Sequence, residues 1–188
     1  MKAKTKLLSN QITKLLDTAK VKYKLIEHKV VYTAHDAAQT TRKKLGEIAK
    51  VVLVKVEGGT PSIASSETTR QPNKRIASDA LAMTKYFVLI VLPAGKYLDF
   101  SGIKKALKAK KISIATEKDI TKYLKTKVGL LHPFGTQYNL QTLLDKGIAK
   151  SKKMIASAGS YTHSVEVAVK DFEKLVKPIK GAFAKAKK

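Results

Sequence analysis

The sequence predicts an α/β (α+β) fold, with one domain built on a mixed, curved or barrel-like β-sheet flanked by helices. Three observations lead there. Two runs of strand length, Lys50 to Val56 and Tyr86 to Leu92, are rich in β-branched and apolar residues. Between and around them, apolar residues recur at helical spacing behind capping residues. No tandem repeat and no convincing linker divides the 188 residues, so the elements belong to one core.

Each element has its own local reason. Met1 to Lys6 reads as a basic, frayed start. Leu8, Ile12, Leu15 and Leu16 then follow a helical period, with Ser9 or Asn10 as cap. Tyr23 to His28 alternates as a short strand. Thr33 to Lys44 is an alanine-rich helix capped by Thr33 and closed by Gly46. The strand from Lys50 to Val56 ends in Gly58-Gly59, and a long polar loop or insertion spans residues 59–79. Tyr86 to Leu92 is apolar throughout, as in a strand covered on both faces, and Pro93-Ala94-Gly95 breaks it.

Asp99 to Lys110 is an amphipathic helix on Phe100, Ile103 and Leu107. A short strand from Ile112 to Ala115 leads to Thr116-Glu117-Lys118-Asp119, a capping-box pattern opening a helix through Leu124. Gly129 to Gly135 is a loop bounded by glycines. Strands follow around Leu140 to Leu144, Lys153 to Ser157 and Ser164 to Val169, then a helix from Asp171 to Val176. Lys180 to Lys188 reads as a disordered basic tail.

Lys plus Arg is 38 and Asp plus Glu 14, a formal charge of +24. Such a field is felt by polyanions at a distance. Only Arg42, Arg70 and Arg75 are arginine. Lysine meets phosphate as a point charge, whereas arginine forks onto phosphates or guanine edges. The pattern therefore suits salt-sensitive contact with a nucleic-acid backbone rather than base reading. Without cysteine there is no disulfide, thiolate metal site or thiol nucleophile. No apolar run is long enough for a transmembrane helix, and the N-terminus lacks the apolar region of a signal peptide. A cytoplasmic protein with no membrane partner is the expectation.

Nucleotide, zinc-protease and nucleophile-elbow motifs are absent. His28, His35, His132 and His163 are scattered, which predicts no metal site and no cofactor. Ser65, Ser66 and Ser157 have no base beside them in sequence. The informative signal is an ordered series. His28 precedes the helix led by Thr33, with Ala37 and Ala38; Lys50 heads an apolar strand; Gly129, Pro133 and Gly135 form a GxxxP loop with a further glycine; and Gly159 lies late between strands. With the stretch LPAGKYLDFSGIKKAL, this order resembles the YbaK-like aminoacyl-tRNA deacylase family. That family includes the editing domain inserted in bacterial prolyl-tRNA synthetases. The resemblance runs from His28 to Leu175.

The resemblance implies a free-standing deacylase that hydrolyses the ester of a mischarged tRNA in trans. It implies Lys50 and Gly129 as catalytic residues, with His28, Thr33, His132, Pro133, Gly135 and Gly159 binding substrate. The mischarged tRNA is the implied partner, with an aminoacyl-tRNA synthetase as a second. The deacylase domain is expected over residues 23–178, behind a basic N-terminal segment and helix at 1–22 and ahead of a basic tail at 179–188. Two features depart from the family pattern. The stretch 59–79 is longer than usual, which reads as a lid, a tRNA contact or a disordered loop. The Gly129 loop lacks the doubled glycine of some members, which bears on pocket size and the amino acid accepted. Two other readings remain open, a non-catalytic tRNA- or RNA-binding module on the same fold and a hydrolase of another small ester or amide.

Overall fold

Apolar runs and helical stripes sort into three sheets and six α-helices in a computed structural model that describes residues 2–59 and 85–186. The polar stretch expected as a loop or insertion lies almost wholly outside the described residues. The chain runs α1 (Lys2–Thr18), β1 (Tyr23–Glu27), α2 (Ala34–Thr41), β2 (Ala49–Glu57), β3 (Lys85–Pro93) and β4 (Tyr97–Leu98). It continues through α3 (Phe100–Leu107), β5 (Lys111–Ile114), α4 (Glu117–Leu124), a 3₁₀ turn (Gly135–Tyr138), β6 (Gln141–Asp145) and α5 (Lys146–Ala149). Last come β7 (Lys153–Ser157), β8 (His163–Ala168), α6 (Val169–Val176), β9 (Ile179–Gly181) and β10 (Ala184–Lys185).

The main sheet has the order β5-β2-β3-β6-β9, and it is mixed, with β2 antiparallel to β3 and β5 while β6 is parallel to β3 and β9. A second sheet, β1-β8-β7, is antiparallel, and β4 pairs with β10 alone. Among the described residues the sheets do not close into a barrel. β3 is the central strand, and Val88 to Leu92 are fully buried because helices and strands cover both of its faces. That is the environment its unbroken apolar run demands. One face packs on α3 through Ile103 and Leu107, and the other on α4 through Ile120. Ile12 and Leu16 of α1 share a core with Val165, Val167 and Phe172.

Three expectations about element ends are corrected. α1 begins at Lys2, so Ser9 and Asn10 lie within it rather than at its cap. α2 stops at Thr41, where Arg42 takes the left-handed conformation (φ 53°), well before Gly46. The C-terminal segment is ordered through residue 186: β9 pairs with β6, β10 pairs with β4, and Phe183 between them is buried. The Asp145 carboxylate accepts hydrogen bonds from the Phe183 and Ala184 N–H groups at 2.8 and 2.9 Å. A lysine-rich composition hides this single aromatic anchor and its buried acceptor.

Candidate functional site

The site grows from a fork in β2. Along one edge β2 pairs with β3 over its full length, but on the other β5 covers it only from Val54 to Glu57, with one more bond from Ala115 N–H to the Leu53 carbonyl. Upstream the same edge meets the second sheet, where Ile48 bridges to Ile155 of β7. β5 and β7 therefore diverge from β2, and a cavity of about 330 Å³ opens in the gap. Its floor is the Ala49–Leu53 stretch of β2 and its walls are the ends of β5 and β7. The α2 N-terminus and the Gly129 turn form its mouth.

Lys50, Gly129 and Thr33, far apart in sequence, line this one cavity. The Lys50 ammonium is half-buried and donates to the Lys96 carbonyl at 2.7 Å, with the Tyr97 ring 5.8 Å away. Among the described residues no carboxylate pairs with it. Burial holds its pKa below the ordinary lysine value, because desolvation disfavours the charged form. An ammonium has three donors and this one makes a single hydrogen bond to the described residues, so capacity remains for a ligand oxygen. Gly129 has φ 84°, a conformation that costs a side-chain-bearing residue, and a Cβ there would sit 3.0 Å from the Tyr32 carbonyl oxygen. Thr33 caps α2 through a full capping box with Asp36.

The other site residues expected from sequence divide into two groups. His28 lies behind the wall and reaches the cavity through Ser164, whose Oγ is 2.9 Å from His28 Nε2. His28 Nδ1 contacts the Lys29 carbonyl at 2.8 Å. A carbonyl only accepts, so Nδ1 carries the proton, and in the neutral ring Nε2 accepts from Ser164. Gly159 (φ 78°) donates its N–H to Ser157 Oγ and precedes Ser160; both serines line the cavity.

His132, Pro133 and Gly135 do not line it. All three are buried beneath the Gly129 turn. The His132 ring stacks on Tyr138 at 4.3 Å, and a side chain at Gly135 would run into Thr142 and the Leu140 carbonyl. The GxxxP loop thus presents Gly129 and Leu131 to the cavity, while His132 and Pro133 pack beneath as support.

Sequence reading also missed the serine–histidine pairs, Ser164 with His28 and Ser160 with His163 at 3.3 Å. The first pair is 136 residues apart. It depends on the β1–β8 register, in which Ile26 faces Ser164, so no local pattern could reveal it. Glu117 lines the cavity as well, brought there by the capping box that opens α4.

The buried His132 makes a prediction of its own. Burial lowers its pKa from 6.5 to about 3, and its Nδ1 has no hydrogen-bond partner among the described residues. The folded ring stays neutral while the unfolded chain takes up a proton below pH 6.5. Its contribution is therefore full above that pH and is lost as pH falls toward 3, at about 1.4 kcal/mol per pH unit. Urea midpoints should fall between pH 6.5 and 5 in the native protein, and His132→Leu should flatten that slope. An equal slope in both would exclude His132 as the source.

With this geometry in view, comparisons with known proteins decide the family. A model described as "Aminoacyl-tRNA editing domain" matches residues 28–175. The chain belongs to the aminoacyl-tRNA editing domain family. It is 24% identical over 166 residues, 86% of each chain, to the prolyl-tRNA editing protein ProX of Acetoanaerobium sticklandii. The fold is similar to a candidate trans-editing enzyme for prolyl-tRNA synthetase, with TM-score 0.70, 15% identity and coverage of 95% of this chain and 98% of that one. It is also similar to a protein described only as hypothetical, with TM-score 0.72, 14% identity and coverage of 93% and 99%. Aminoacyl-tRNA editing is the family's class of chemistry. No helix among the described residues is long and apolar enough to cross a membrane.

Proposed function

We propose that this protein is a trans-acting deacylase that hydrolyses the ester between a wrongly attached amino acid and the 3′ end of a tRNA. The observation that carries the reading is the cavity at the β2 fork, where Lys50, Gly129 and Thr33 meet inside an editing-family domain. Its volume of about 330 Å³ admits an aminoacyl group and excludes the body of a tRNA, which the charge of +24 holds outside. Because an aminoacyl ester is already activated, positioning and oxyanion stabilisation suffice without a metal or a covalent enzyme intermediate.

In this reading a water attacks the ester carbonyl, the bond to the 3′ oxygen breaks, and the proton released by the water ends on that oxygen. The Gly129 N–H meets the developing oxyanion. Lys50 holds the terminal phosphate or the carbonyl oxygen. The mostly aliphatic walls suit a small side chain, and the likeness to a prolyl-tRNA editing protein directs the search to tRNA(Pro). A synthetase is the second proposed partner, as the source of the mischarged tRNA.

The test is a deacylation time course over a panel of mischarged tRNAs, beginning with alanyl- and cysteinyl-tRNA(Pro). Rapid loss of one ester supports the proposal and names the substrate. Tight, salt-dependent binding with no ester cleaved faster than in buffer would replace it with a non-catalytic RNA-binding module. Gly129→Ala is expected to lower kcat/KM at least about 10-fold, since a single oxyanion donor is worth about 10²–10³ in rate. A melting curve close to the native one would place that loss in the site rather than in the fold.

A further inference from the structure

Tyr32 stands at the mouth of the cavity and is 68% exposed. It is braced rather than loose. Its ring lies 5.1 Å from that of Tyr161, tilted by 54°. The Tyr161 hydroxyl donates to the Val128 carbonyl, and the Val31 N–H donates to the Tyr161 carbonyl, so the α2 entry and the Gly129 turn share one support. The next residue, Thr33, is fixed by its capping box, with its N–H on Asp36 Oδ2 and its Oγ1 accepting from the Asp36 N–H. Little conformational entropy remains to be lost when a ligand covers this ring. Two further exposed apolar side chains, Val128 and Ile114, complete the rim. The exposed Tyr123, by contrast, packs on Phe87 and does not line the cavity.

We propose that Tyr32, braced by Tyr161, is the stacking platform for the terminal nucleobase of the acyl-tRNA. The inference rests on the deacylase reading, and the chemistry of the substrate identifies the occupant. The ester and the base are carried by the same ribose, so an acyl group seated on the β2 floor leaves its base one sugar away, at the rim. Apolar area surrounded by a lysine-rich surface is costly to leave in water, and a planar base carried on a phosphate chain covers it while the charge is met elsewhere. Stacking reads no sequence, which suits the terminal nucleotide because it is the same in every tRNA.

The experiment compares the native protein with Tyr32→Ala, Tyr32→Phe and Tyr32→Leu on the aminoacyl-tRNA that the native protein cleaves. It also uses uncharged tRNA carrying 2-aminopurine in place of the terminal adenine. Tyr32→Ala should raise KM about 10- to 100-fold with little change in kcat, the range for one base–aromatic stack. Tyr32→Phe should restore the native value and Tyr32→Leu should not. The 2-aminopurine fluorescence should be quenched by the native and Phe proteins and remain bright with Ala. A native KM in Tyr32→Ala, equal rescue by Leu and Phe, or unchanged quenching would each overturn the platform. If the native protein cleaves no acyl-tRNA, the deacylase reading fails, and the quenching series on uncharged tRNA still decides the platform. Melting curves for each variant separate loss of the fold from loss of the stack, and the Phe–Leu comparison keeps the question open to decision if Ala unfolds.

Discussion

Lys50→Ala is expected to reduce deacylation at least about 100-fold while leaving the melting temperature unchanged or slightly higher. The rate loss follows from the proposed role of this cation beside the ester, an effect of the size measured for single groups that meet developing charge. The retained stability follows from what the ammonium touches. Among the described residues its only hydrogen bond is to the Lys96 carbonyl and no carboxylate pairs with it, and burial already disfavours its charge. Removing it relieves desolvation and leaves one acceptor at a partly open edge. Single-turnover deacylation beside a thermal melt checks both halves. Undiminished activity removes Lys50 from the mechanism, and a large drop in melting temperature makes it a structural residue instead.

Asp145→Ala should be the most destabilising single change. The carboxylate is 1% exposed and accepts three backbone N–H groups: Gly147 at 2.7 Å, Phe183 at 2.8 Å and Ala184 at 2.9 Å. Alanine strands those donors and releases the segment that seats Phe183 against Val88 and Ile103. Buried donors left without partners, together with a lost charged acceptor, cost about 3–5 kcal/mol, or roughly 10 °C in a domain of this size. Trypsin cleavage at Lys180 and Lys185 should accelerate in parallel. Asp145→Asn, which keeps one acceptor, should fall between the two. A melt indistinguishable from the native one would show that β9 and β10 hold the tail without this carboxylate.

Much of the fold was legible because its signals are local. The apolar run Tyr86 to Leu92 is a strand buried on both faces. Thr33 and Thr116 cap the helices they precede, since a cap is read from residues within one turn. Helix ends were harder. α2, α3, α4 and α6 each close on a left-handed residue that is not glycine: Arg42, Lys108, Lys125 and Lys177. In so lysine-rich a chain those residues carry no punctuation, whereas Gly46, which looks like a stop, lies beyond the helix.

The candidate site was legible in part for the same reason. Lys50 and Gly129 stand out through a resemblance of motif order. Ser164, Ser160, Tyr161 and Tyr32 belong to no motif, because the β1–β8 register and the packing of two loops bring them together. His132 sits within the Gly129 loop, and the packing of its ring on Tyr138 is likewise a tertiary feature that no motif displays.

By itself the sequence determined the element types, the mixed α/β class, the polyanion-seeking charge and the family, all of which depend on composition and short-range pattern. Only the tertiary structure decided where β2 forks, which residues share the cavity it opens, and that the basic tail is tied down by Asp145. Those features depend on contacts between segments many residues apart. Hydrophobic burial and hydrogen-bond satisfaction select such contacts for the chain as a whole.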